Sequence, residues 1–250
     1  TQTEYKVVVD EFNGETAEKE TTIKAGGVIN AKGRILDGNG DLAKDFAGIV
    51  FPTVMDNKEK ITTRNNSGYA KSPFVFESRE KTLFSGSTSV TDGEFSFIFP
   101  VPLDINYSYE SGLVNLYALA EDKSVEAQGY YDNFLIGGTE ENAMVNDSLG
   151  QDITLYLNTP RFITGDKVNE TPYLIAVLED EDGINTSGNG IGHDIVAIIN
   201  NSPAYTFVLN GYFEQDMGSY TKGTVRYSLP ELPEGKHELL FRAWDIKNNS

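Results

Sequence analysis

The chain has 250 residues, 39% of them hydrophobic and 11% aromatic, a composition that excludes intrinsic disorder and allows one large β domain or two smaller ones. Twenty basic against 38 acidic residues leave a net charge of -18, which excludes nucleic acid and anionic lipid as partners because both need clustered Lys and Arg. Cysteine is absent, so disulfides, zinc–thiolate sites and a cysteine nucleophile are excluded within this chain, and no apolar run reaches the ~18 residues that a membrane-spanning helix needs.

Apolar residues alternate with period two along most of the chain, the pattern of half-buried strands. Tyr5-Lys6-Val7-Val8-Val9 opens as a strand and ends at Asp10. Val28 to Leu36 is the next, closed by the turn Asp37-Gly38-Asn39-Gly40, and Ala47 to Val54 follows. Lys81 to Val90 runs into Thr91-Asp92-Gly93, and Glu94 to Phe99 returns as the second arm of a hairpin. Its Phe95, Phe97 and Phe99 share one face and should point into a core. Pro100 and Pro102 bracket its end, where a ladder donor is no longer needed. Leu113 to Ala120 pairs with Val125 to Tyr131 around Glu121-Asp122-Lys123. Gly137-Gly138 and Thr139-Glu140-Glu141 then break the pattern, which places a first domain at residues 1–150.

A second domain, residues 151–250, begins with Ile153 to Leu157. Tyr173 to Leu178, His193 to Ile199, Ala204 to Leu209, Thr224 to Leu229 and His237 to Trp244 continue it. Short strands separated by Gly, Asn and Pro clusters suggest an immunoglobulin-like sandwich, with Trp244 in a central strand. The fold class read from the sequence is therefore all-β, two β-sandwich domains, the second immunoglobulin-like. The sequence starts at Thr1 and stops at Asn248-Asn249-Ser250 in mid-pattern. An excised fragment, its second sandwich lacking a last strand, is the expectation.

Candidate chemistry is sparse. The histidines are His193 and His237, and His193-Asp194 invites a catalytic pair. A hydrolytic triad also needs a nucleophile on a sharp turn with an oxyanion hole, and no G-x-S-x-G elbow occurs, so a hydrogen bond from His193 to a neighbouring loop is expected instead. Gly188-Asn189-Gly190-Ile191-Gly192 has the glycine spacing of a phosphate loop, but a strand follows where a helix N-terminus should hold the anion. The run Glu179-Asp180-Glu181-Asp182-Gly183-Ile184-Asn185 is the one candidate metal loop. Asp180, Asp182, Asn185 and Asp194 could offer oxygens to calcium, although the closing Glu of an EF-hand is missing. No catalytic or cofactor-binding residue is assigned, and calcium is the one cofactor the loop could take. The same long, acidic loop, Glu179 to Asp194, is a candidate contact surface for a protein partner.

A longer pattern carries a resemblance. Asp182-Gly183-Ile184-Asn185-Thr186-Ser187-Gly188-Asn189-Gly190-Ile191-Gly192-His193-Asp194 stands with Leu209-Asn210-Gly211-Tyr212-Phe213, Gly235-Lys236-His237 and Ala243-Trp244-Asp245-Ile246-Lys247-Asn248-Asn249-Ser250. In the first half Val28-Ile29-Asn30-Ala31-Lys32-Gly33, Gly93-Glu94-Phe95, Val101-Pro102-Leu103-Asp104-Ile105-Asn106-Tyr107 and Ile136-Gly137-Gly138 join them. Together they resemble the region beyond the catalytic domain in the PorU family, the gingipain-like signal sortases of the bacterial type IX secretion system. Asp147-Ser148-Leu149 is also similar to a short O-glycosylation acceptor motif of Bacteroidota. The resemblance implies a cysteine–histidine peptidase domain upstream, which cleaves the C-terminal signal of exported cargo and joins the new terminus to lipopolysaccharide. It also implies the outer face of the outer membrane, and as partners an outer-membrane barrel protein, other secretion components and the peptidase domain in cis. A non-catalytic scaffold is the function it implies for this chain. The alternative is a carbohydrate-binding or adhesive module, with Tyr130, Tyr131, Tyr205 and Tyr212 stacking on sugars.

Overall fold

The computed structural model describes residues 5–66, 68, 71–141, 143, 150–187 and 192–250. Asp147-Ser148-Leu149 and the glycine-rich Gly188 to Ile191 lie outside them. The described residues form strands, loops and two single-turn 3₁₀ segments, with no α-helix.

The first half opens with β1 (Tyr5–Phe12), β2 (Glu15–Thr16), β3 (Thr21–Ala25), β4 (Val28–Leu36) and β5 (Gly48–Met55). Next come β6 (Glu59–Thr62), β7 (Val75–Ser78), β8 (Thr82–Ser85), β9 (Thr88–Val90) and β10 (Glu94–Pro100). It ends with β11 (Glu110–Ser111), β12 (Leu113–Ala120), β13 (Glu126–Tyr131) and β14 (Phe134–Thr139). One large sheet runs β10-β4-β1-β13-β12-β5-β8, with β2 and β9 joined to β1 and β5; β11-β14-β3 form a second sheet, and β6 and β7 pair as a separate ribbon.

Alternation dictates which face each strand buries. On β4, Ile29, Ala31, Gly33 and Ile35 are buried while Asn30, Lys32 and Arg34 are exposed. On β10, Phe95, Phe97 and Phe99 all point inward. The inner faces of the two sheets meet around Phe12, whose ring centroid lies 4.8 Å from Phe134, 4.9 Å from Tyr131 and 6.2 Å from Phe99.

Two expectations change here. The hairpin read across Thr91-Asp92-Gly93 is closed only at the Thr91–Glu94 pair, by a turn with Asp92 and Gly93 both at positive φ. Beyond that pair the arms part: β9 joins β5 and β10 joins β4, so the two ends of the large sheet approach one another and it is nearly closed. Gly137-Gly138, read as a break, instead lie within β14. A Cβ at Gly137 would stand 2.7 Å from the Tyr109 ring, so the glycine makes room for an aromatic lid over a strand that continues.

The second half contains β15 (Asp152–Leu157), β16 (Tyr173–Glu179), β17 (Val196–Ile199), β18 (Thr206–Val208), β19 (Phe213–Gln215), β20 (Lys222–Ser228) and β21 (Leu239–Arg242). They make two sheets, β15-β16-β20-β19 and β18-β17-β21. Leu174, Ala176, Leu178 and Val225 of the first sheet share a core with Ala197, Ile199 and Phe241 of the second. Trp244 is not in a central strand: β21 is the edge of its sheet and ends at Arg242, two residues earlier. Residues 193–195 and 243–250 are instead drawn out of the ladders by a junction between the halves.

Candidate functional site

Asp180, Asp182, Asn185 and His193, singled out in the sequence, gather at that junction, each engaged by a neighbour. Asp180 is buried, and its Oδ1 accepts the backbone N–H of Asp182 at 2.8 Å and of Gly183 at 3.0 Å. This is a turn-forming carboxylate. Burial pushes its pKa up to about 6; the two N–H donors oppose the shift, and the nearby charges of Asp245 and Asp182 add to it. Asp182 Oδ2 faces Lys247 Nζ at 2.7 Å. Asn185, fully buried, accepts the Ser187 hydroxyl at 2.6 Å and donates its amide to Asp104 Oδ2 at 3.3 Å. Asp194 is half-buried beside His193. Among the described residues, no three His, Asp or Glu side chains converge as a metal site would require.

The residue that organises this junction is Asp104, whose position after Val101-Pro102-Leu103 gives no local sign of a role. It lies in the loop after β10, and its side chain accepts three bonds from the second half. His193 Nδ1 approaches Oδ2 at 2.7 Å, Asn185 Nδ2 reaches the same oxygen, and Asn248 Nδ2 reaches Oδ1 at 3.3 Å. A carboxylate only accepts, so His193 carries its proton on Nδ1. The histidine bond to a neighbouring loop is thus present, and the ring also packs 4.5 Å from Trp244, which lies under the Arg242 guanidinium. His237 is elsewhere, with Nε2 donating to Pro233 O at 2.8 Å and Nδ1 accepting from Asn200. No hydroxyl hydrogen-bonds either histidine among the described residues.

Backbone bonds also join the two halves. Leu103 N donates to Ile246 O at 3.0 Å, and Gly218 N donates to Ser87 O at 2.7 Å. Ile246 N bonds Gly183 O, and Asn185 N bonds Trp244 O, so residues 183–185 and 244–246 form a paired ledge on which Leu103 and Asp104 rest. Gly183 sits at φ 112, and a Cβ there would come 2.9 Å from Pro100 Cγ; only glycine fits between the halves. The buried Asp245 carboxylate ties the ledge from behind, accepting Asn249 N at 2.7 Å and Lys247 N at 2.9 Å. Of the segment expected to offer a contact surface, Asp180, Gly183, Ile184 and Asn185 are buried at the junction, while Glu179, Glu181 and Gly192 are exposed.

The tyrosines considered for sugar stacking are dispersed. Tyr131 is buried in the first core and Tyr205 packs on the second, while Tyr130 and Tyr212 are exposed at 68% and 50% on different halves. No family model matches the chain, and no curated protein matches it. Among solved structures, the sporulation control protein Spo0M from Bacillus subtilis is 11% identical over 90% of each chain, with a TM-score of 0.32 that carries no argument. Dimeric latent PorU from Porphyromonas gingivalis matches 98% of this chain at 31% identity and a TM-score of 0.61. The chain spans 23% of that protein's length, and along nearly all of its own it is similar to one region of PorU.

Proposed function

We propose that this chain is a non-catalytic region of a type IX secretion sortase, and that it serves as a rigid spacer for a peptidase domain lying elsewhere in the same polypeptide. The observation that carries the reading is a match over 98% of the chain to 23% of PorU, in a sequence with no cysteine to act as nucleophile. Two units divided near residue 150, the second immunoglobulin-like, fit this role, because paired sheets hold shape while their end loops remain free for contact. On the same reading the protein works at the outer face of the outer membrane, beside a barrel protein and other secretion components.

In-frame removal of residues 5–250 from the longer protein tests the proposal. Cargo processing at the cell surface should be lost while cleavage of a short diffusible peptide persists. Cargo processing at the parent's rate would overturn it. A sugar-binding reading rests on the exposed Tyr130 and Tyr212 alone. A glycan array probed with wild type and with both tyrosines changed to Ala separates the two, since only a lectin loses signal.

A further inference from the structure

We infer that Asp104 is the lock that fixes the angle between the two cores, and that His193, Asn185 and Asn248 are its receptor. Four observations converge. Among the described residues, Asp104 is the one side chain of the first half that bonds three side chains of the second, Asn185, His193 and Asn248. Asn185 is fully buried and its amide has Asp104 as partner, so removing the carboxylate strands a buried donor. The His193–Asp104 contact is short and only partly exposed, at 23% and 18%, which keeps it from being dissipated in solvent as surface pairs are. Close backbone packing flanks it, through Leu103–Ile246, Ser87–Gly218 and Gly183 against Pro100, while Tyr220 of the second half packs on the first core.

The three bonds to Asp104 need one relative placement of segments 185, 193 and 248 against the loop after β10. A rotation of one half would break all three bonds to Asp104 together and leave Asn185 without a donor's partner, so small angular excursions are opposed cooperatively. Of the flanking backbone bonds, Leu103–Ile246 lies in the loop after β10 and Ser87–Gly218 in the turn between β8 and β9. Asp104 adds side-chain bonds to these, with Oδ2 meeting His193 and Asn185 and Oδ1 meeting Asn248. The inference deepens the spacer reading and rests on it for its purpose, but its test reads geometry and not processing, so either can fail alone.

The chain has no cysteine, so two introduced ones are the only attachment points for spin labels. Ser96→Cys on exposed β10 positions and Thr206→Cys on β18 place one label on each half. Pulsed dipolar spectroscopy should give one narrow distance peak for the otherwise wild-type chain. Asp104→Ala should lose that peak to a broad distribution while far-ultraviolet dichroism stays that of a folded sheet protein. Should Asp104→Ala fail to fold, His193→Phe keeps the ring on Trp244 and removes the Nδ1 donor, and it should broaden the peak as well. An unchanged narrow peak in whichever of these variants folds would overturn the lock.

Discussion

The two halves bury their apolar residues in different ways. The first core is aromatic: Phe12, Phe46, Phe84, Phe95, Phe97, Phe99, Tyr131 and Phe134 are all buried, and Phe12 touches three other rings. The second is aliphatic, with Phe241 as its one buried ring, and residues 158–172 cross its surface without strand. The first half can close its sheet on itself, whereas the second ends in a ledge, 244–246, that is capped by Leu103 and Asp104 of its neighbour. Self-sufficiency in one half and dependence in the other is the expected consequence.

The largest effects should break this asymmetry open. Phe12→Ala empties the centre of the ring cluster and should cost ~3–5 kcal/mol. Because the second half leans on the first, it should lower amide protection in both. Leu178→Ala, in the second core, should cost ~2–5 kcal/mol. Its loss of protection should be confined to residues beyond 150, leaving β4 and β10 amides exchanging as in wild type. Equal loss in both halves from Leu178→Ala would show that the dependence runs in both directions.

A smaller effect comes from Asp180. Its pKa of about 6 in the folded chain lies above the ordinary aspartate value of 3.8. The folded state therefore binds the proton more readily than the unfolded one between those values, so this group favours folding as pH falls through about 6 and opposes it at neutral pH. Asp180→Asn keeps an acceptor for the Asp182 and Gly183 N–H groups but cannot titrate. Relative to wild type, its stability in urea titrations should improve as pH rises from about 4 to about 7. A difference that does not change with pH would contradict the burial assigned to this carboxylate.

The smallest expected shift is with calcium. Asp180, Asp182 and Asn185 each already serve a backbone amide, a lysine or a hydroxyl, so a cation would have to displace those partners. Millimolar calcium should leave the melting temperature nearly unchanged. A rise that Asp182→Asn abolishes would instead place a cation in this loop.

Much of the fold was legible because alternation is a local signal. Val28–Leu36 and Leu113–Ala120 were readable to the residue, and the three inward Phe of β10 announced a core. What escaped was non-local. Strands β3 and β14 pair in parallel with each other across more than a hundred residues, and β14 carries glycines whose reason is the Tyr109 ring. Trp244 left its strand because its backbone carbonyl is taken by Asn185. The junction was half visible: Asp180, Asp182, Asn185 and His193 stood out as an acidic, glycine-rich run, but their common partner lies far away in sequence. A lone Asp after Val101-Pro102-Leu103 has no local signature. A helpful sign would have been that a half-buried His and a buried Asn in one loop require an acceptor from elsewhere.

The claim that this region supplies geometry and not chemistry meets its most direct test in the full-length sortase of which we propose it is a part. Asp104→Ala in that protein should reduce processing of whole cargo at the cell surface while cleavage of a short diffusible peptide continues at the wild-type rate. Whole-cargo processing unchanged, or both activities falling together, would contradict it.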